Sequence, residues 1–201
     1  IVPIMKSLTK REIEVLLALF KDFAKDYNAN SLSKIIGISH RGTLKILKNL
    51  KSQNILVSKQ LGKAVFYKIN LDDEYVIKLI SILLMNESRE KASRWLSEFR
   101  DLIEHIEIGI IFGSIIKNPN SAKDIDLLIV FKEEKHKKIE KIIKKRMEIS
   151  TKAIHQVKQT SNDLVKNIKK KDEVILNIIK RGYILQGYEK LARMIKNVTS
   201  F

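Results

Sequence analysis

Residues 108–131 read IGIIFGSIIKNPNSAKDIDLLIVF. An apolar run from Ile108 to Phe112 ends in Gly113-Ser114. After a nine-residue spacer, a second run opens with Asp124-Ile125-Asp126 and continues to Phe131. Both runs are rich in Ile, Val and Phe and too short for ordinary helices, which predicts two buried strands. Side chains two apart on a strand leave the same face, so Asp124 and Asp126 project together and Ile125 points away. Two carboxylates on one face can hold a hard divalent cation such as Mg2+. Gly113 at a strand end lets backbone approach phosphate closely, the amides beyond it are donors, and Ser114 adds a hydroxyl. Ile115-Ile116 is expected to begin a short helix whose N-terminus favours anions. A phosphate cradle beside a metal-binding edge suits phosphoryl or nucleotidyl transfer, in which metals hold the attacking and leaving oxygens in line.

Outward from this stretch, Ile106 to Phe112 is expected to be the first strand of a C-terminal domain, with Pro119-Asn120-Ser121 a loop in the spacer. Glu133 to Met147 is basic and helical in pattern, with Ile139, Ile142, Ile143 and Met147 as its apolar positions, and reads as a crossover helix between strands. Lys135 to Lys138 read as a solvated face of it. Ala153 to Lys158 reads as a third strand. Helices are expected from Ser161 into Lys171, over Asp172 to Lys180, and over Tyr188 to Ile195.

At these residues the chain resembles the nucleotidyltransferase superfamily typified by DNA polymerase beta and the minimal nucleotidyltransferases. Gly113, Ser114, Asp124 and Asp126 match the Gly-Ser, spacer, Asp-x-Asp pattern position by position, and Gly182 to Gly187 resembles a closing segment of such domains. The resemblance runs from about Ile106 to Gly187. It implies that Asp124 and Asp126 are catalytic and metal-binding, that Gly113 and Ser114 bind nucleotide, and that Mg2+ and a nucleoside triphosphate (substrate or ligand) are used. It also implies a third carboxylate from the neighbouring strand. Here that strand reads K-A-I-H-Q-V-K, with no Asp or Glu. His155 occupies the region, and imidazole is a poor Mg2+ ligand beside oxygen donors. Glu148 precedes the strand. Ile115 and Ile116 stand where an arginine often follows Gly-Ser. The family includes antitoxins that nucleotidylate a toxin, so a protein acceptor is among the partners implied.

The N-terminal part has a different pattern. Leu8 to Lys25 has helical apolar spacing, opened by Thr9 and Glu12 in capping-box form. Ser31 to Ile36 predicts a short helix, Gly37 a left-handed turn and Ser39 the cap of a helix over His40 to Lys51. Leu44, Leu47 and Leu50 are expected to be its buried face, with Arg41, Lys45 and Lys48 a basic stripe opposite. Asn54 to Leu61 and Ala64 to Asn70 predict a hairpin around Gly62-Lys63. This order resembles the winged helix-turn-helix transcription regulators, which implies double-stranded DNA as partner. His40 and Arg41 are the candidates for base contacts, and Lys45, Lys48, Lys59 and Lys63 for phosphate contacts.

Leu71 to His105 lacks Pro and Gly. Two apolar stripes, Val76 to Leu84 and Trp95 to Ile103, predict two helices broken near Asn86-Glu87-Ser88. They read as a connector and as candidate dimer helices. The expected organisation is 1–70 winged helix-turn-helix, 71–105 helical connector and 106–201 nucleotidyltransferase-like domain with a small mixed sheet, an α+β chain.

Composition narrows the function classes. The net charge of +16 exceeds the magnitude of about 2–8 usual for a soluble small domain and points to a polyanionic partner such as nucleic acid. The chain has no cysteine, which excludes disulfides and thiolate metal sites, and its four histidines are scattered. No apolar run approaches the ~20 residues that span a bilayer. No basic-then-apolar leader opens the chain, so a cytoplasmic protein is expected. The two function readings are a DNA-binding regulator whose second domain binds nucleotide and Mg2+, and an active nucleotidyltransferase that moves a nucleoside monophosphate onto a protein, RNA or small-molecule hydroxyl.

Overall fold

The computed structural model describes residues 7–198. They fall into two compact units that divide between Ile80 and Ser81. In the first, α1 (Lys10–Lys21) begins at a capping box in which Thr9 Oγ1 accepts from the Glu12 amide and Glu12 Oε2 accepts from the Thr9 amide at 2.8 Å. The helix stops at Lys21, short of the predicted Lys25, and the carboxylate of its capping residue Asp22 accepts from the Tyr27 hydroxyl. β1 (Tyr27–Asn28) follows, a strand that the sequence pattern does not show because two residues carry no periodicity. α2 (Ala29–Ile36) starts two residues before the predicted Ser31, because Asn28 caps it. Gly37, at φ 70°, ends it in the left-handed conformation that favours glycine.

α3 (His40–Ser52) is capped by Ser39 as predicted. Its buried face is Thr43, Leu47 and Leu50, whereas Leu44 is only half-buried. Thr43 takes the inner position because its hydroxyl donates to the Ser39 carbonyl at 3.1 Å, which satisfies the polar atom within the helix. Asn49 donates to Glu12 Oε1 at 2.6 Å and ties α3 to α1. β2 (Leu56–Leu61) and β3 (Ala64–Ile69) pair antiparallel around Gly62-Lys63, and β1 joins the far side of β3, giving the order β1-β3-β2.

α4 (Glu74–Lys91) runs across the division between the units and continues through Asn86-Glu87-Ser88, where the polar triplet predicts a break. Ser88 is fully buried and donates to the Ile184 carbonyl at 2.6 Å, so it faces inward as a satisfied group rather than marking a loop. The break comes at Ala92, before α5 (Ser93–Glu98) and α6 (Arg100–Ile103). Residues 81–105, predicted as part of a connector, belong to the second unit: Trp95, Phe99 and Leu102 are buried in its core.

The second unit is built on a mixed four-stranded sheet. Its strands are β4 (Ile108–Phe112), β5 (Asp124–Val130), β6 (Ala153–Gln159) and β7 (Tyr183–Gln186), in the order β6-β5-β4-β7. β4 pairs antiparallel with β5 and β7, and β5 pairs parallel with β6. A parallel pair needs a crossover, which α7 (His136–Ile149) supplies. Ile139 and Ile143 of α7 are buried against Ile125, Leu127 and Ile129, while Met147 is exposed, contrary to its place in the predicted stripe, since the buried stripe of α7 ends one turn earlier. α8 (Ser161–Lys169), α9 (Glu173–Arg181) and α10 (Tyr188–Lys196) complete the unit, with α9 and α10 against β4. Leu128 and Val130 are buried on the face opposite Leu127 and Ile129, so β5 is covered on both sides along its second half. Only its first residues, Asp124 and Asp126, remain half-buried. No helix among the described residues is long and apolar enough to cross a membrane.

Glu107, just before β4, fastens the far ends of this unit. Its carboxylate accepts from Ser161 Oγ at 2.6 Å and pairs with Lys190 Nζ at 2.5 Å. Burial pushes the carboxyl up, but the bonds from Lys190 and Ser161 and the charges of Lys190 and Lys132 outweigh it and hold it below the usual glutamate range. A depressed carboxyl stabilises the native state above its unfolded pKa of about 4.3, and that contribution fades as pH falls through the folded value. Glu107→Gln is therefore expected to lower stability by about 1–2 kcal/mol at pH 7. The gap from the parent chain should shrink below pH 4 in urea denaturation.

Candidate functional site

Strand register assembles a candidate site at the start of β5. Phe112, the last residue of β4, pairs with Asp126, so Gly113 turns away directly beside that aspartate. Gly113 has φ 83° and ψ −156°, a conformation that side-chain-bearing residues rarely adopt. A Cβ at this position would lie 2.0 Å from Asp126 Oδ2. The absence of a side chain at Gly113 is thus what lets the turn and the carboxylate share one corner. Ser114 follows, exposed, and opens a three-residue 3-10 turn, Ser114–Ile116. This turn is too short for the helix macrodipole expected at Ile115-Ile116, and the Ser114 carbonyl is taken by the amides of Lys117 and Asn118. Ile115 is fully buried and Ile116 packs on the same core, so the positions where an arginine often follows Gly-Ser carry core side chains.

On the other side of β5, parallel pairing sets Asp126 beside His155 and Asp124 beside Ala153. His155 Nδ1 lies 3.7 Å from Asp124 Oδ2 and 3.6 Å from Asp126 Oδ1. Among the described residues, one group of three side chains could hold a metal ion: Asp124, Asp126 and His155, whose ligand atoms all lie within 4.8 Å of one another. Glu148 is exposed in the last turn of α7 and is not part of it. The family resemblance put His155 in the region of the third ligand, and the register of β6 against β5 sets it beside Asp126. The Lys152 ammonium donates to the Ala122 carbonyl and clips the end of the spacer to the start of β6.

The electrostatics favour a cation. Burial and the Asp124 charge push the Asp126 carboxyl up, and the His155 imidazole partly offsets them. Two half-buried carboxylates on one face repel each other, and a divalent ion between them relieves that repulsion. The donors present fit a divalent ion, but they are two oxygens and a nitrogen, not the all-oxygen shell that suits Mg2+.

The other candidate surface lies on the first unit. His40, Arg41, Lys45, Lys48, Lys59 and Lys63 are all exposed. A groove between α3 and the hairpin is lined by His40, Leu44, Lys48 and Lys63, together with Asn28 and Asn30. The half-burial of Leu44 follows from this, since its side chain lines the groove.

Residues 96–190 match the family model described as Polymerase beta, Nucleotidyltransferase. The C-terminal part is accordingly an α+β nucleotidyltransferase-like domain, and the match covers the Gly-Ser corner, both aspartates and His155. No curated protein matches the chain. Among solved structures, two mutants of Lactococcus lactis ZitR are similar at 15% identity, covering 74% and 73% of this chain and 79% and 80% of theirs. Their TM-scores are 0.34 and 0.33.

The corner can be tested directly. Gly113→Ala places a methyl on the Asp126 carboxylate at an unfavourable φ, and is expected to destabilise the chain by about 1–3 kcal/mol. A thermal melt of purified protein checks it; an unchanged midpoint would contradict the close approach.

Proposed function

We propose that this chain is a DNA-binding regulator whose C-terminal domain binds a nucleotide together with a divalent cation, Mg2+ by the family resemblance. The observation that carries the DNA half is the exposure of six side chains, His40, Arg41, Lys45, Lys48, Lys59 and Lys63, on α3 and the hairpin of a three-helix unit. Its order of elements resembles that of the winged helix-turn-helix regulators, in which the helix after the glycine turn enters the major groove. His40 and Arg41 lie at the N-terminal end of α3, where such a helix meets base edges. The lysines of α3 and the hairpin face the phosphates. The helices over 74–103 would supply a dimer contact in this reading only through α4, where Tyr75, Ile82 and Met85 are exposed, since Trp95, Phe99 and Leu102 are core.

For the nucleotide half, Gly113 and Ser114 sit beside Asp126, so phosphate oxygens held at the corner would lie next to a cation on Asp124 and Asp126. The bound ion would supply charge neutralisation at the phosphates. Asp124 and Asp126 would hold the ion, and the exposed Ser114 hydroxyl would donate to phosphate.

A second reading, nucleotidyl transfer, is favoured by the half-exposure of both aspartates at an open strand end. An acceptor hydroxyl oxygen would form a bond to the α-phosphorus, the bond to pyrophosphate would break, and the hydroxyl proton would pass to Asp124 or Asp126. The acceptor would be a protein, an RNA or a small molecule.

Gel shifts with mixed-sequence duplex DNA are expected to show binding that weakens steeply with salt. Arg41→Ala with Lys45→Ala should reduce affinity at least tenfold; equal binding by this variant would refute the DNA assignment. Nucleotide binding, followed by equilibrium dialysis with labelled nucleoside triphosphates and a divalent salt, should fall at least tenfold in Asp126→Asn. If labelled product also appears with candidate acceptors and is lost in that variant, the transfer reading replaces the binding one.

A further inference from the structure

The third donor at the β5 edge departs from what a magnesium site needs. His155 lies on β6 at the register position beside Asp126, with Nδ1 at 3.6 and 3.7 Å from the two carboxylates. These separations exceed a normal hydrogen bond. The ring nitrogen stands close to both aspartates, and the side chain is largely exposed, at 63%. The three ligand atoms lie within 4.8 Å of one another, close to the ~4 Å spread of ligands that each keep ~2.0–2.2 Å from one zinc-sized ion. Gly113 leaves the Asp126 side of the corner free of a methyl group that would push the carboxylate away.

We infer that this site selects a nitrogen-accepting first-row transition ion, of the Co2+ and Zn2+ class, over Mg2+, with His155 Nδ1 as the third ligand beside Asp124 and Asp126. The inference rests on the reading of this corner as a nucleotide-and-cation site and refines which cation it takes. Mg2+ demands near-octahedral oxygen ligation and gives up water reluctantly, whereas imidazole suits zinc, copper, iron and nickel. Any oxygen site also binds cobalt somewhat better than magnesium, so the informative quantity is how much of the selectivity belongs to His155.

The test uses the full chain and two variants, His155→Asp, which completes an all-oxygen set, and His155→Gln. Thermal melts first establish that each is folded, which the exposure of the ring leads one to expect. Co2+ is titrated by its visible absorption, and Mg2+ by its competition for the same absorption. The parent chain is expected to prefer Co2+ to Mg2+ at least tenfold more strongly than His155→Asp does, and the His155→Gln chain to bind Co2+ at least tenfold more weakly than the parent. On Zn2+ addition the Nδ1 nitrogen resonance of His155 should shift to that of a metal-bound imidazole. An unchanged cobalt-to-magnesium ratio in His155→Asp, or an unshifted ring nitrogen, would overturn the inference. Nucleotide binding measured on the same samples separates the two readings. Nucleotide retained with Mg2+ and no His155 effect refutes only the ion assignment. Co2+ bound through His155 without nucleotide refutes only the nucleotide assignment.

Discussion

The pairing of β5 with a different partner on each edge is the constraint on which the C-terminal domain depends. Antiparallel pairing to β4 delivers Gly113 to Asp126 from one side, and parallel pairing to β6 delivers His155 to the same residue from the other. A slip of one residue in either ladder would turn every side chain of that strand over. The buried alternation of Ile125, Leu127 and Ile129 against Trp95, Phe99, Ile139 and Ile143 makes such a slip costly. Fully burying side chains of this size stabilises by about 1.5–3 kcal/mol each, so the core fixes the register and the register fixes the site.

The same strand explains why polar chemistry survives inside an apolar sheet. Along its second half β5 is covered on both faces, and a carboxylate there would be stranded without water. At its first two outward positions the cover is incomplete, and Asp124 and Asp126 keep partial solvation. The spacer remains anchored by core contacts of Ile115 and Ala122 and by the Lys152 clip, so the opening is held by structure and not by a free loop.

The first unit solves a different problem with equally local means. Capping groups at Thr9, Asn28 and Ser39 start its three helices, and Gly37 supplies the turn between the second and third. Whereas the Asn28 cap starts α2 two residues before the predicted Ser31, the signals at Thr9, Gly37 and Ser39 act over three or four residues and are legible from the chain. Leu44 was not: its spacing permits burial, but Thr43 satisfies its own hydroxyl on Ser39 and takes the inner position. The break predicted at Asn86-Glu87-Ser88 failed for a related reason. The Ser88 hydroxyl finds the Ile184 carbonyl, a partner ninety-six residues away in the chain.

By itself the sequence determined most of the elements (though not β1 or β7), the caps at Thr9 and Ser39, the shared face of Asp124 and Asp126, and the basic character of α3 and the hairpin. All of these follow from short-range periodicity, local hydrogen bonding and residue chemistry. Tertiary structure decided what meets what across the sheet. It made Ile115 and Ile116 core residues, left Glu148 and Met147 outside, folded residues 81–105 into the second unit, and set His155 beside the two acids. Local pattern does not encode strand order or register, because each depends on which apolar faces bury one another over long separations in the chain.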